Sequence, residues 1–353
     1  MIANAADGTS AVGVMAVGAA AVGVAAVGVA AVGVADVLRA LRAAPGAPAG
    51  GWRLETTGAP SLERMALEME PPRLEAALPI EGDALSQRVL DAEPLVGFHA
   101  FLDGIQSTRV LQYLPGGVPL IFGIVAAVVR ERHNRELHTW NGAPELSTRV
   151  YLPRALTPAD HLRTFDAAGI PVHDTLDGAD ASDGQHPQLL LTLARTAVQR
   201  ERERLETSLA ERWCATRDQS VYVDGGISGA GLAARSPHAV GVVKSHRTLY
   251  ASGDGVGVIT RLRAGARTTA FEIRSARRTA VASWYLRLRD GGDPMFALVR
   301  IEVARDTFTA ERADEVSRWV LAERTPLSLP DQRWHTMAYG IADCERYLRA
   351  IAP

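Results

Sequence analysis

The chain is poor in cysteine and nearly devoid of lysine, and its charges almost cancel. Its 353 residues include two cysteines, Cys214 and Cys344, which excludes a disulfide scaffold and a four-cysteine zinc site within one chain. A formal net charge of −2 excludes a polycation that wraps nucleic acid with its whole surface, so any contact with DNA has to come from a local patch. Lys244 is the single lysine among 38 basic residues, every other one being arginine. With so much alanine, glycine and arginine, the composition is that of a GC-rich coding sequence, in which arginine replaces lysine wherever charge alone is needed. A surviving lysine then marks a place where a compact ammonium is not replaceable by a planar guanidinium. GxSxG, HExxH and a GK[ST] phosphate loop are all missing.

What is abundant is a repeat. Residues 11–35 read AVGVM AVGAA AVGVA AVGVA AVGVA, uncharged and longer than the roughly 20 residues that span a bilayer. Composition argues against a membrane span: alanine and glycine add little transfer energy, recurrent glycine weakens a helix, and no basic or aromatic anchor precedes the run. The start, MIANAADGTS, has Asp7 and no basic region, so it does not read as a signal peptide. A glycine period of five rather than three excludes collagen. The expectation is a disordered, dispensable tail and linker over 1–51 and a folded domain over 52–353, long enough to bury a core unaided. The DVLRALRAA pattern predicts a short helix, and PGAPAGG at 45–51 breaks it before a body starting near Trp52.

Further along, mixed charge with Leu and Met at helical spacing over 60–93 predicts one or two amphipathic helices. FHAFLDGIQ, VLQYL and PLIFGIVAAVV read as three strands of an antiparallel meander. An exposed excursion is expected at 174–187, then a helix through LLLTLARTAVQRERERLETSLAERW with Leu190, Ala194, Val198, Leu205 and Leu209 as its apolar stripe. Strands follow at SVYVDGG, at HAVGVVKSHRTLY carrying Lys244, at AVASWYLRLR and at MFALVRIEVA, with helices at TAERADEVSRWVLAER and DCERYLRAIAP.

Two strands end alike, in Asp103-Gly104 and in Asp224-Gly225. An Asp-Gly pair is a favoured turn, so each aspartate alone reads first as a turn former. Two such strands side by side, however, would set two carboxylates together, which is costly unless divalent cations lie between them. On the helix before the second strand, Glu206 flanks the apolar stripe and is placed to reach inward, whereas Glu203 points largely away; an RERERLE run is otherwise a solvated face. From Arg261 to Arg289 arginine is dense, and Arg261, Arg263, Arg267, Arg274, Arg277 and Arg278 are the candidates for phosphate contact. Arginine on an exposed strand face is also ordinary solubilising decoration.

The ordered set FLDG, an Arg/Glu-rich helix leading into VYVDGG, then GVVKS, SWYLRL, VRIEV and a C-terminal helix resembles the NurA family of DNA-repair nucleases over roughly 98–350. The resemblance implies an α/β fold with an RNase H-like mixed-sheet core flanked by helices. It also implies a homodimer, manganese-dependent cleavage of DNA, and work with a hexameric HerA-type ATPase in end resection or phage defence. A cytoplasmic, nucleoid-associated protein is expected. Position by position, the implied metal ligands fall on Asp103, Glu206 (or Glu203 in another register) and Asp224, and the implied lysine on Lys244. The C-terminal member is either His335 or Asp343. The family's serine after the first Asp-Gly is Ile105 here. The roles implied are cation binding by Asp103, Asp224 and Glu206, neutralisation of the scissile phosphate by Lys244, and protonation of the leaving oxygen or orientation of water by His335; Mn²⁺ or Mg²⁺ would be the cofactor. Two alternatives stay open: an RNase H-like ATP-binding phosphotransferase, and a nuclease-shaped subunit without activity.

Overall fold

The computed structural model describes residues 32–43, 71–133, 136–176, 186–276, 278–324 and 338–351. The pentad repeat up to Ala31, the linker to Trp52, most of the 174–187 excursion, Arg277 and His335 lie outside the described residues.

In chain order, helix α1 (Val34–Ala43) precedes short strands β1 (Arg73–Glu75), β2 (Leu78–Pro79) and β3 (Gln87–Val89). Two long strands follow, β4 (Ala100–Leu114) and β5 (Val118–His133). Then come β6 (Glu136–Thr139), β7 (Glu145–Leu152), α2 (Ala159–Ala167), β8 (Val172–Asp174) and the long helix α3 (Pro187–Thr216). After it lie β9 (Val221–Asp224), β10 (Ala239–Val243), β11 (Thr248–Tyr250), α4 (Gly255–Thr260), β12 (Ala266–Thr268) and β13 (Phe271–Ser275). The last elements are β14 (Arg278–Arg287), β15 (Leu298–Ala304), α5 (Ala310–Ala322) and α6 (Tyr339–Ile351).

Thirteen strands form one mixed sheet, through the path β2-β13-β14-β15-β10-β9-β4-β5-β7-β8. At its centre β7, β5 and β4 are antiparallel, β9 lies parallel to β4, and β10 parallel to β9. Taken in chain order, these five strands stand third, second, first, fourth, fifth, with α3 crossing from the third to the fourth. That is the RNase H-like arrangement, and the fold class is α/β as expected.

Both faces of the centre are covered, which is why its strands read as nearly continuous apolar runs. On one face, Ala100 and Leu102 of β4 and Val221 and Val223 of β9 pack with Leu205, Leu209 and Trp213 of α3. On the other, Phe101, Ile105 and Tyr222 pack with Trp319 of α5 and Ile341 and Cys344 of α6. The helix start is set locally: Pro187 occupies the first turn and the His186 ring accepts the Gln188 N–H at 3.2 Å. Its close seating depends on Gly123 of β5, where a Cβ would stand 2.6 Å from the Tyr151 ring and 2.9 Å from Val198.

Three expectations change. VLQYL is not a separate strand: β4 continues through it across a register shift between Val110 and Gln112, so the first two meander strands are one. The described part of 60–93 holds no helix; β1 pairs with β11, β2 with β13 and β3 with β12, partners nearly two hundred residues away in sequence. Helix α1 forms as predicted but, although upstream of Trp52, buries Val37 and Leu41 against Leu111, Leu114 and Phe165 of the folded body.

Candidate active site

Pairing between β4 and β9 stops at Leu102↔Val223. Asp103 and Asp224 are the next residue on each strand, level with one another on neighbouring parallel strands about 4.8 Å apart. Beyond them β9 ends while β4 runs on to Leu114. Asp103 falls between Phe101 and Ile105 in the strand alternation, on the face that α6 covers, and is 6% exposed. Gly104 faces α3, and Glu206 lies directly over it: a Cβ on Gly104 would stand 2.4 Å from the Glu206 Oε1. Glycine is therefore required there by the approach of a carboxylate, not by its backbone angles.

Two cations answer these three acids. Lys244, just past β10, holds its Nζ 2.7 Å from Asp224 Oδ2. Arg202, one turn before Glu206, donates to Glu206 Oε1 at 2.5 Å and to Gln106 Oε1 at 3.2 Å. Charge is not fully balanced even so. Burial, then the field of Asp224, pushes the Asp103 carboxyl well above the usual carboxylate range, with Glu206 adding to the rise; Lys244 and the Gly104 N–H, which donates to Oδ1 at 2.8 Å, act the other way. Burial likewise raises Glu206 to about 7, opposed by Arg202 and assisted by Asp224 and Glu203.

The Glu206 shift fixes a sign. The folded chain keeps this proton to about pH 7, whereas an unfolded glutamate loses it near 4.5. Stability in chelator is therefore expected to fall as pH rises between those values, by up to about 3 kcal/mol from this group alone. Urea titrations from pH 4.5 to 8 check this: Glu206→Gln should flatten the slope, and an unchanged slope would remove Glu206 as its source.

A cleft of ≈250 Å³ opens beside the acids, lined by Arg202, Glu203, Glu206 and Asp224, the loop Gly225–Ala230 and Arg278. Among the described residues, no three His, Cys, Asp or Glu side chains converge closely enough to hold a metal ion as they stand. The donor chemistry nevertheless suits a hard divalent cation: three carboxylates at one strand end, with no imidazole or thiolate in the set. Lys244 and Arg202 cover the very carboxylates a cation would engage.

No protein-family model matches this chain, and no curated protein matches it. Among solved structures, the chain is similar to the crystal structure of the NurA nuclease from Sulfolobus solfataricus. That match has a TM-score of 0.42 and 10% identity, covering 77% of this chain and 81% of the other.

Of the candidate residues, Glu203, Glu206, Asp224 and Arg278 line the cleft, whereas Asp103 and Lys244 lie beside it and not in its walls. Glu203 is exposed, lines its rim and accepts from Gln199 at 2.8 Å. Asp343 of α6 is engaged by Arg130 Nε at 3.0 Å, a guanidinium that also bonds Thr139 Oγ1 and the Leu137 carbonyl. His335 lies outside the described residues.

The arginine set divides. Arg267 is 0% exposed, and its guanidinium donates to Glu81 at 2.7 and 2.9 Å and to Asp314 at 2.6 Å. It is a structural ion pair, and its place among the phosphate contacts is withdrawn because no phosphate reaches a fully covered side chain. Arg278 lines the cleft at the start of β14, and Arg274 is exposed and paired with Glu272. Arg261 and Arg263 are exposed beside Leu262, whose carbonyl Arg287 engages at the far end of β14. Ten residues of strand separate the two ends, about 30 Å, so these arginines do not make one patch.

Sequence reasoning missed Arg202 and Glu302. Glu302, 2% exposed on β15, accepts from the Ile227 N–H at 2.8 Å and the Ser228 N–H at 3.4 Å, and is balanced by Arg300 Nη1 at 2.7 Å. It pins the glycine loop after Asp224 and occupies N–H groups that a phosphate-cradling loop would leave free. The signal was there to read: a carboxylate inside the apolar run VRIEV is expensive unless a specific partner waits for it.

Proposed function

We propose that this chain is a metal-dependent nuclease that hydrolyses DNA phosphodiester bonds at the cleft lined by Glu206 and Asp224, beside the buried Asp103, with Mn²⁺ or Mg²⁺ as cofactor. The observation that carries the proposal is three carboxylates from three elements gathered at one strand end, where burial and mutual repulsion raise two of them. Such an arrangement is destabilising in itself, and sites of this kind are selected for chemistry rather than stability.

Divalent cations supply charge neutralisation on the phosphate oxygens and a water acidic enough to attack near neutral pH. Asp103 and Asp224 would hold them from adjacent strands, and Glu206 from α3. Lys244 stands beside Asp224 as a point charge for a phosphate oxygen, a task suited to a compact ammonium and consistent with its being the single lysine. Arg202 orients Glu206 against Gln106. Glu302 fixes the loop that walls the cleft. The motif resemblance adds a homodimer, a HerA-type hexameric ATPase as partner, and a task in DNA end processing, repair or phage defence. The resemblance's proton donor at His335 is part of the same proposal. The occupation of the Ile227 and Ser228 N–H groups by Glu302 weighs against the phosphotransferase reading.

The test is digestion of linear DNA by the purified chain with Mn²⁺, Mg²⁺ or chelator, with and without a HerA-type ATPase and ATP. Cation-dependent degradation is expected, and Lys244→Met should lower the rate about 10²–10³-fold. No cleavage with either cation, ATPase present or absent, would overturn the proposal. Among the described residues no helix is long and apolar enough to cross a membrane.

A further inference from the structure

A second, open groove of ≈480 Å³ adjoins the acidic cleft. Arg235, Arg274 and Arg305 line it, together with Glu272 and Asp306. The two cavities are walled by adjoining stretches of chain. The loop that gives the cleft Gly225–Ala230 goes on to give the groove Ala234 and Arg235, and Arg278 faces the cleft while its neighbour Thr279 faces the groove. A hydrogen bond from the Thr279 N–H to the Ser228 carbonyl at 3.0 Å ties the two walls together.

The groove is built. Glu272 of β13 is buried, its side chain 6% exposed, and it pairs with both Arg274 and Arg305, the latter through Nε at 3.0 Å. One acid thus holds two guanidiniums, whose side chains remain 70% and 38% exposed. Each guanidinium has five N–H donors, so a single shared carboxylate leaves most of them open. Arg235 on the opposite wall is exposed and forms no ion pair among the described residues. Fixing β13 requires only one cation per acid. Three cations line the groove against two acids, and the surplus consists of fork-shaped donors suited to phosphate oxygens.

We infer that this groove carries the phosphodiester backbone of the strand being cut, so that Arg235, Arg274 and Arg305 hold phosphates next to the one at the cleft. The inference rests on the nuclease reading and adds where the strand lies. It replaces the dispersed arginine set with a track running from Arg278 to Arg305, leaving Arg261 and Arg263 outside it.

Fluorescence anisotropy in chelator, where nothing is cut, tests it with one labelled oligodeoxynucleotide short enough for the cleft alone and one several times longer. In Arg235→Gln/Arg305→Gln, affinity for the long strand is expected to fall at least about tenfold, and the slope of log affinity against log salt to drop by about 2. Affinity for the short strand should change less than about threefold, since its phosphates stay within the cleft. Arg235→Gln alone, at an exposed position that cannot unfold the chain, should reduce the slope by about 1. An unchanged slope in both variants, while wild type binds DNA, overturns the track and leaves the nuclease reading standing. Equal losses for the two lengths also overturn it. Competition by inorganic phosphate as strong as that by oligonucleotide would make the groove a single-anion site and overturn the track as well. Wild type that binds neither strand takes down the nuclease reading along with the track.

Discussion

Asp103→Asn is expected to reduce DNA cleavage at least about 10³-fold and, in the same protein, to raise the melting temperature. The two effects have one cause. Burial and the neighbouring acids hold the Asp103 carboxyl well above its ordinary range, so the folded chain bears an extra cost for a charge it barely solvates, whether the carboxyl ionises or a proton is held on it. An amide of the same shape removes that charge and keeps an oxygen to accept the Gly104 N–H. The gain shows as a higher melting temperature. Cation binding loses a ligand at the same stroke. Calorimetry in chelator and in Mn²⁺ separates the terms: the variant should melt higher in chelator, and Mn²⁺ should raise the wild type more than the variant. A variant that melts lower than wild type in chelator, or that cuts DNA at the wild-type rate, would remove Asp103 from the proposed site.

Arg267→Ala should act in the opposite sense, costing about 3–5 kcal/mol and lowering the melting temperature by roughly five to nine degrees. Its guanidinium is fully covered and satisfies Glu81, Asp314 and the carbonyls of Thr268 and Ala310. Removing it strands two carboxylates beside β12 and leaves a void. Arg88 also reaches both acids, at 3.5 and 3.2 Å, which limits the damage without cancelling it. Arg278→Ala, exposed at the cleft, should change stability by less than about 0.5 kcal/mol. Thermal melts and DNA affinity measured on both variants distinguish the two arginines. An Arg267→Ala protein of wild-type stability that has lost DNA affinity would restore this residue to the phosphate contacts.

The central strands and α3 were legible because their information is local. Asp224-Gly225 closes a pattern where β9 ends, and the Leu190 to Leu209 stripe repeats at helical spacing, so each declares its element within a dozen residues; Asp103-Gly104, read as a strand end, lies inside β4, which runs on to Leu114. The strands between Arg73 and Val89 were not legible, because each exists only by pairing with a segment nearly two hundred residues away. The break expected before VLQYL vanished for a related reason: a bulge lets β4 continue where the alternation alone suggests an end.

The candidate arginines divide along the same line. Six side chains of one chemistry in one stretch look alike in sequence, and composition supports the same role for all of them. Burial separates them: Arg267 finds acids from residues 81 and 314, Arg274 shares Glu272 with Arg305, and Arg278 reaches the cleft. Likewise, the order of residues alone put two aspartates before glycines, a glutamate on an amphipathic helix and a lone lysine in a strand-like run. Folding brought Glu206 over Gly104, set Lys244 against Asp224 and turned Glu302 to the loop behind it. Side-chain periodicity is a property of neighbours along the chain, whereas charge compensation is a property of neighbours in space, and the second exists only once the chain has folded.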